Sequence, residues 1–261
     1  MTARRADCRW RREVAVVRND FYLATMCGRY TLRRPQRIDP KLLGLDELPP
    51  LEPRFNIAPG EDILLVRSRR GVREATLARW GFIPSWANDP KIGNRMVNAR
   101  ADSLAAKPSF RNAWTSRRAL VLADGFYEWR TIPGEKRRQP HFVAMQDDEP
   151  FAFGAIWEAW RQDAGDGAEV SRPDWVISCA IITTRPNTLI APLHDRMPLI
   201  IAPDDYARWL GDGEPGAQPP ADLLQPYSAS VMREHAVSMR VNDPRADDEQ
   251  CIEPLAMESS G

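Results

Sequence analysis

Residues 175–184 read Trp-Val-Ile-Ser-Cys-Ala-Ile-Ile-Thr-Thr, the most apolar strand-like stretch of this 261-residue chain. Ile, Val and Thr branch at Cβ and suit a pleated strand, and a run without polar alternation is typical of a strand covered on both faces. We therefore expect this stretch at the centre of the sheet. The polar, Gly-rich residues 162–173 before it predict a loop.

Shorter strand patterns lie on both sides of this stretch. We predict them at residues 63–67, 74–80, 118–122, 123–129, 141–145, 151–157 and 199–202, with a further strand near Val237 and a hairpin turn at residues 69–71. Helices are few, and we expect them at residues 40–48, 98–107 and 204–210, the last capped by Asp204 and ended by Gly211, with one or two more within residues 221–261. Many short strands with few helices favour an α+β fold, a mixed, barrel-like antiparallel sheet core with peripheral helices.

Length and composition set the class of protein. A chain of 261 residues suits one large domain or two small ones, and no apolar run reaches the roughly 18 residues of a membrane span. Cys8, Cys27, Cys179 and Cys251 are far apart and form no C-x-x-C pair. The sequence therefore argues against a disulfide framework or a zinc site, and we expect a cytoplasmic protein.

Charge is distributed unevenly along the chain. Residues 1–90 hold 17 Lys and Arg against 11 Asp and Glu, residues 91–140 hold 11 against 4, and residues 141–261 hold 8 against 21. The net charges of these blocks are +6, +7 and −13, so a polyanion would meet the first two. Chance clustering on an ordinary solvated surface is the alternative.

Residues 1–25 read poorly as structure. Several arginines precede a short apolar stretch at residues 14–17, which is too short for a signal peptide, and the acidic residues among them count against a transit peptide. We expect this segment to be a propeptide or a mis-assigned start upstream of Met26.

Met26-Cys27-Gly28 is the first stretch that suggests chemistry. If the chain begins after Met26, Cys27 carries a free α-amine and a thiol, which titrate near ~8 and ~8.5. Such an aminothiol condenses with an aldehyde to a Schiff base and then closes a thiazolidine ring. The alternative is a small buried thiol beside a glycine turn.

Glu128 and His194 are candidate acid–base groups. Glu128 lies between Tyr127 and Trp129 in an apolar strand, where desolvation suits a carboxyl group to proton transfer. His194 is one of three histidines and is followed by Asp195, which could orient the ring for proton shuttling. The alternatives are an edge-strand glutamate facing water and a structural histidine bonded to the backbone.

Asn98, Arg100 and Trp86 are candidate binding residues. Asn98 could orient a reacting group or cap a helix, and Arg100 could bind a phosphate. Trp86 lies in a loop rich in Gly and Pro, where an exposed ring could stack on a base. No Walker, zincin, G-x-S-x-G or dinucleotide motif is present, so we expect no nucleotide cofactor and no metal.

Six motifs in order resemble the SRAP family, the SOS response-associated peptidases and abasic-site processing proteins. They run from Met26 to about Pro254 and comprise Met26-Cys27-Gly28-Arg29-Tyr30, Phe55-Asn56-Ile57-Ala58-Pro59, Trp80-Gly81-Phe82-Ile83-Pro84-Ser85-Trp86, Asn98-Ala99-Arg100, Ala123-Asp124-Gly125-Phe126-Tyr127-Glu128-Trp129 and His194-Asp195-Arg196-Met197-Pro198. The corresponding domains are a 1–25 extension, a single SRAP domain at 26–255 and a 256–261 tail.

The resemblance implies a protein of the DNA damage response that binds single-stranded DNA and crosslinks covalently to abasic sites. It implies that Cys27, once N-terminal, forms the thiazolidine, with Asn98, Glu128 and His194 completing the catalytic site. It further implies phosphate contacts from Arg29 and Arg100, and base contacts from Pro59 and Trp86. Self-processing peptidase and abasic-site lyase activities accompany this chemistry in the family, without a cofactor, and we expect a monomer that associates with the nucleoid when bound to DNA.

Two departures from the family pattern matter. Asp102 stands where a glutamate is commoner, which is a mild change. The residues before Met26 are more serious, because while they stay attached the nitrogen of Cys27 is an amide and the crosslink is blocked.

Two other functions remain open at this stage. A thiol peptidase could use Cys27, His194 and Asn98, although no papain signature surrounds Cys27. A non-catalytic module could bind single strands through its basic first half and Trp86, with salt-sensitive affinity and no covalent product.

Overall fold

A computed structural model describes residues 28–135, 137–161, 175–211 and 218–256. Outside these described residues lie the predicted 1–25 extension, Cys27, the whole of the predicted loop at 162–173 and nearly all of the predicted tail.

Strands dominate the described chain, and the two α-helices are short. The strands are β1 (Tyr30–Leu32), β2 (Arg54–Ile57), β3 (Asp62–Arg69), β4 (Val72–Trp80), β5 (Asn98–Arg100), β6 (Arg118–Ala123), β7 (Gly125–Arg130), β8 (Gln139–Met145), β9 (Phe151–Arg161), β10 (Trp175–Thr184), β11 (Met197–Pro198), β12 (Ile200–Ile201) and β13 (Met232–Ala236). The helices are α1 (Pro108–Ser116) and α2 (Tyr206–Leu210), and single 3₁₀ turns such as Pro40–Leu43 connect several strands.

Five strands close into a barrel. β3 pairs antiparallel with β4 and with β6, β6 with β9, and β9 with β10. The ring closes because β10 also runs parallel to β4, with Ser178 opposite Arg79 and Cys179 opposite Trp80. The prediction that residues 175–184 form a central strand is therefore confirmed, since β10 also pairs with β5 and β11.

A second, antiparallel sheet packs beside the barrel in the order β13-β8-β7-β1-β2. Tyr30 of β1 joins the two layers, because its ring packs edge-on against Trp80 and Phe153 of the barrel, with centroids 5.4 and 5.8 Å away. At Gly125 a Cβ would lie 2.3 Å from the Phe142 ring, so only glycine lets β7 pass this close to β8. The predicted barrel-like α+β fold is thus confirmed.

The β3–β4 hairpin also agrees with the sequence. Arg70 and Gly71 both have positive φ, 55° and 79°, which is the backbone of a tight hairpin turn. Gly211 ends α2 in the left-handed region as predicted, with φ of 77°. Asp204, in contrast, lies within a 3₁₀ turn before α2, and the N-cap residue is Asp205.

Three helix predictions were wrong. The one or two helices expected within residues 221–261 are only 3₁₀ turns in the part of that segment that the structure describes. Residues 98–107 do not begin a helix. Asn98–Arg100 is strand β5, which pairs parallel with β10 just beyond the part of β10 that pairs with β4. Helix α1 starts later, with Pro108 in the first turn, where a proline's missing N–H costs nothing. The predicted helix at 40–48 is only the 3₁₀ turn Pro40–Leu43, which Gly44 ends with φ of 67°.

Candidate functional site

Glu128 lies on β7, the strand that pairs with β1 near the first described residue, Gly28. Glu128 is 1% exposed. β1 and β7 pair with Tyr30 opposite Phe126, and the N–H of Tyr127 donates to the carbonyl of Arg29 at 3.0 Å. Going backwards from β1, the chain therefore runs antiparallel to β7 toward Glu128. Gly28, buried, is the first described residue on this path, and Cys27 precedes it outside the described residues.

Asn98 lies on β5, half-buried, opposite Ile181 of β10. The parallel pairing holds the side chain at the end of the barrel where β11 also joins β10. Because β11 follows the His194 loop directly, the Asn98 segment and the His194 segment meet at this end of the barrel.

An ion-pair network connects these two segments. Asp102, just after β5, accepts from the guanidinium of Arg196 and pairs with Arg100 at 2.8 Å. Arg196 is buried, whereas the side chains of Arg100 and Asp102 are each half exposed. The Asp102 pKa is far below its usual range because of hydrogen bonds from Arg100 and then Arg196. Asp102 therefore keeps its charge and holds the two loops together.

His194 combines partial burial with two competing partners for Nδ1. The nitrogen accepts from the N–H of Arg196 at 3.0 Å and lies 2.9 Å from a carboxylate oxygen of Asp195. Burial lowers the pKa of the ring, and Arg138 adds to that effect, while Asp195 opposes it. The lowered pKa favours the neutral ring near neutral pH.

A cleft of about 350 Å³ opens beside His194. The His194 loop forms one wall, and Trp129, Thr131 and Arg138 of the β7–β8 hairpin form the other. Sequence reasoning did not select Trp129 or Arg138 as site residues. Trp129 is adjacent to Glu128 but on the opposite face of β7, and Arg138 lies between β7 and β8. The cleft brings His194 close to the strand of Glu128.

Trp86 projects from a well-anchored loop. The residue is 62% exposed, yet its loop is held by the Ile83 N–H donating to Ser178 Oγ at 2.8 Å and by Trp160 Nε1 donating to the carbonyl of Ala87 at 2.6 Å. A fixed loop that exposes a large aromatic ring can present it to a ligand without first becoming ordered. Pro59 is half-buried just after β2.

Arg29 has internal partners. Its guanidinium donates to Asn56 Oδ1 and to the carbonyl of Val241, each at 2.8 Å, and the residue is 9% exposed. Burial lowers the pKa of this guanidinium, with Glu61 the largest opposing charge. These contacts tie β1 to β2 and to the C-terminal segment, so a phosphate role for Arg29 stays a prediction and would need the side chain to change partners.

Among the described residues, no group of three or more His, Cys, Asp or Glu side chains is arranged to hold a metal ion. None of the helices in the described part of the chain has the length and apolar content of a membrane-spanning segment.

Several curated proteins are similar over most of this chain. The abasic site processing proteins YoqW and YoaM of Bacillus subtilis are 36% and 34% identical over 231 residues, which is 87% of this chain and 99% and 98% of their own lengths. The abasic site processing protein HMCES of Pongo abelii is 32% identical over 201 residues, covering 68% of this chain and 56% of that protein.

Solved structures share the fold. A protein from Bacteroides thetaiotaomicron superposes with a TM-score of 0.68 at 24% identity, covering 79% of this chain and 87% of that one. A protein from Bordetella bronchiseptica gives 0.65 at 24% identity, covering 82% and 100%.

The family model for the SOS response associated peptidase (SRAP) matches residues 26–244, which include every motif around β1, β5, β7 and the His194 loop. By this match and by its curated relatives, the chain belongs to the SRAP family.

Proposed function

We propose that this protein recognises abasic sites in single-stranded DNA and crosslinks to them through Cys27, in the response to DNA damage. The similar curated proteins are named for abasic site processing. The pairing of β1 with β7 is the observation that supports the proposal, because it directs the described end of β1, at Gly28, toward the buried Glu128. We further propose that residues 26–255 act as one domain and that the protein works as a monomer without a cofactor.

The chemistry follows from an aminothiol and an aldehyde. The amine of Cys27 adds to the C1′ aldehyde of the ring-opened abasic sugar, and the adduct loses water to give a Schiff base. The thiolate then attacks the same carbon and closes the thiazolidine ring. Glu128 takes a proton from the amine and returns one to the departing hydroxyl, His194 moves protons on the sugar side, and Asn98 orients the reacting group.

DNA binding is assigned to the surface around this site. Arg100, exposed, would exchange part of its pairing with Asp102 for a phosphate, and Trp86 would stack on a base. Arg29 and Pro59 are proposed to contribute a phosphate contact and a base contact. With the amine on the sugar, β-elimination gives the lyase activity, and cleavage before Cys27 would be the self-processing peptidase activity. The site of action would be the cytoplasm, at the nucleoid.

The proposal requires that Cys27 be the first residue of the active protein. An amide nitrogen cannot form the Schiff base, so residues 1–25 must be absent or removed and Met26 must leave. N-terminal sequencing of native protein tests this directly: crosslinking by a chain that still begins at Met1 would contradict it.

A denaturing gel with a uracil-excised, labelled single-stranded oligonucleotide tests the function. Protein beginning at Cys27 should give a shifted band that survives heating in detergent. Cys27→Ala should give none, and Cys27→Ser should give a band only after borohydride traps its Schiff base. Cys179→Ala and Cys251→Ala are matched controls, since both thiols are buried away from solvent, and should crosslink like wild type.

The denaturing gel, together with a native gel and a self-cleavage assay, separates the alternative functions. A non-catalytic single-strand binding module would retard DNA in a native gel and give no band under denaturing conditions. A cysteine-dependent peptidase acting through Cys27, His194 and Asn98 would self-cleave without forming a DNA adduct, and self-cleavage that persists in Cys27→Ala would exclude it.

A further inference from the structure

A row of titratable side chains crosses three neighbouring strands of the second sheet. Glu128 of β7 is directly opposite His141 of β8, and His141 is directly opposite Ala236 of β13. Opposed residues of an antiparallel pair lie on one face, as do residues two apart on a strand. Glu128, His141 and Glu234 therefore share a face of the sheet.

Exposure increases along this row. Glu128 is 1% exposed and His141 is 7% exposed, whereas the side chain of Glu234 is 28% exposed. Opposed Cβ atoms lie about 4.5–5.5 Å apart, so Glu128 and His141 are neighbouring side chains on this face. On the other side of the ring, Nδ1 lies 2.6 Å from Oε2 of Glu234.

The bond to Glu234 fixes the orientation of the imidazole. A carboxylate only accepts hydrogen bonds, so Nδ1 carries the proton that it receives, and Nε2 keeps a lone pair. A cavity of about 370 Å³ beside this face is lined by His141 together with Arg130, Gln139 and Ala236. The charged groups that adjacent strands place on this face are Glu128, Arg130 and Glu234.

The proposed crosslinking reaction needs an exit for a proton. An ammonium, a thiol and an aldehyde combine to a neutral thiazolidine, one water and one proton. Glu128, which accepts the proton of the amine, is 1% exposed in this structure, and such burial limits its direct proton exchange with bulk water.

We propose that His141 is a positioning and proton-relay residue for Glu128, with Glu234 as the outlet to solvent; this rests on the proposed function. The carboxylic acid of Glu128 gives its proton to Nε2, and the ring becomes an imidazolium between two carboxylates. The imidazolium then releases a proton to Glu234, which passes it to water. No bond other than those of the proton changes, and Glu128 returns to the carboxylate form.

Chemical rescue tests the relay with protein that begins at Cys27. His141→Ala should slow single-turnover crosslinking by at least about tenfold, less than the ~10²–10⁴-fold effect of a group that itself exchanges a proton with the substrate, because His141 acts through Glu128. Imidazole added to the reaction should restore much of the rate, whereas pyrrole, of similar size but without a basic nitrogen, should not. His235→Gln is the matched control, because His235 is opposite Phe142 on the other face, and should keep the wild-type rate.

A rate for His141→Ala within twofold of wild type would overturn the relay, and equal rescue by pyrrole would show that the side chain only fills space. If wild type forms no crosslink at all, the proposed function fails first. A second measurement needs no DNA: ¹⁵N shifts of the ring in the folded protein should show Nδ1 protonated and Nε2 unprotonated in wild type. The opposite tautomer would contradict the proposal even if a His141 variant failed to fold.

Discussion

At the scale of single residues, the buried carboxylate of Asp124 accepts a dense set of hydrogen bonds. It lies between β6 and β7, where the chain passes from the barrel to the second sheet, and is fully buried. Its carboxylate accepts from the Thr31 hydroxyl at 2.7 Å, from the backbone N–H groups of Arg33 and Arg34 at 2.6 and 2.8 Å, and from Arg33 Nε at 3.1 Å. One side chain thus satisfies four donors.

Asp124→Asn should lower the free energy of unfolding by about 3 kcal/mol, because an amide NH₂ would face N–H donors and the Arg33 charge would lose its buried partner. The midpoint of urea denaturation measures this. Asp39→Asn is the control: Asp39 is exposed and caps a turn through the Lys41 N–H, a role that asparagine fills, so its midpoint should stay within about 0.5 kcal/mol of wild type. Equal effects of the two substitutions on the free energy of unfolding would contradict the role of Asp124 as the acceptor for these buried donors.

Two substitutions beside His194 should shift the pKa of its ring in opposite directions. Since Arg138 lowers the pKa of the ring and Asp195 raises it, Arg138→Gln should raise that pKa and Asp195→Asn should lower it. NMR titration of the three histidine rings measures both changes. Shifts in the same direction, or none, would show that these charges do not act on His194.

The same lowered pKa has a consequence for stability. The unfolded chain, with a histidine pKa of about 6.5, binds more protons than the folded one between the folded pKa and that value. His194 therefore contributes stability that is present above pH 6.5 and is lost as the pH falls through that window. His194→Gln should flatten this part of the stability–pH curve, measured by urea denaturation at a series of pH values.

At the scale of elements, Arg118 holds both helices to the barrel. From the start of β6 its guanidinium donates to the carbonyls of Trp114 and Thr115 at the end of α1, at 3.0 and 2.9 Å, and to that of Trp209 in α2 at 2.6 Å. These are carbonyls of the last helical turns, which lack partners within the helix. The positive charge also complements the negative ends of both helix dipoles.

Arg118→Met should therefore destabilise the protein by about 3 kcal/mol, since methionine fills much of the space but leaves these buried carbonyls unpaired. Urea denaturation measures the loss, and near-ultraviolet circular dichroism of Trp114 and Trp209, whose rings are 5.8 Å apart, reports the helix positions. Arg208→Met is the control: Arg208 of α2 pairs with Asp222 at the surface, where both side chains are more than half exposed, and its loss should hardly change the midpoint of urea denaturation.

Element predictions succeeded where the local pattern and the tertiary partner agree. β10 and the β3–β4 hairpin were predictable because a β-branched run and a turn sequence carry their own signal. β5 was not, because Asn98–Arg100 becomes a strand only through its parallel pairing with β10, which is distant in sequence. α1 had a usable signal in Pro108, but a nearby polar segment was read as the helix start instead.

At the scale of the whole molecule, the sequence predicted a barrel-like sheet but not the strand pair that closes it. It depends on the parallel β10–β4 pair, and no local periodicity encodes which distant strands meet. The site shows the same division. The motifs indicated which side chains to examine, whereas the bridge from Asp102 to Arg196 and the cleft shared by His194 and Trp129 appear only after folding.

Charge distribution yields a test of the proposed DNA surface. Arg100 lies in the basic block of residues 91–140, and Arg245 in the acidic block of residues 141–261. Both are exposed, and each pairs with an aspartate two positions away, Arg100 with Asp102 at 2.8 Å and Arg245 with Asp243 at 2.7 Å. The two arginines are therefore matched in local setting and differ in their place on the molecule.

Arg100→Gln should reduce the slope of log affinity against log salt by about 0.7, the value for one phosphate contact on a single strand. Affinity should also fall uniformly across sequences, because phosphate contacts position the strand and do not read bases. Fluorescence anisotropy with an intact oligonucleotide, measured across salt concentrations, separates this binding term from any crosslinking. Arg245→Gln removes an identical charge from the acidic block and should leave the slope unchanged. Equal slopes for the two variants would mean that Arg100 touches no phosphate, and the strand would then have to cross the protein away from β5.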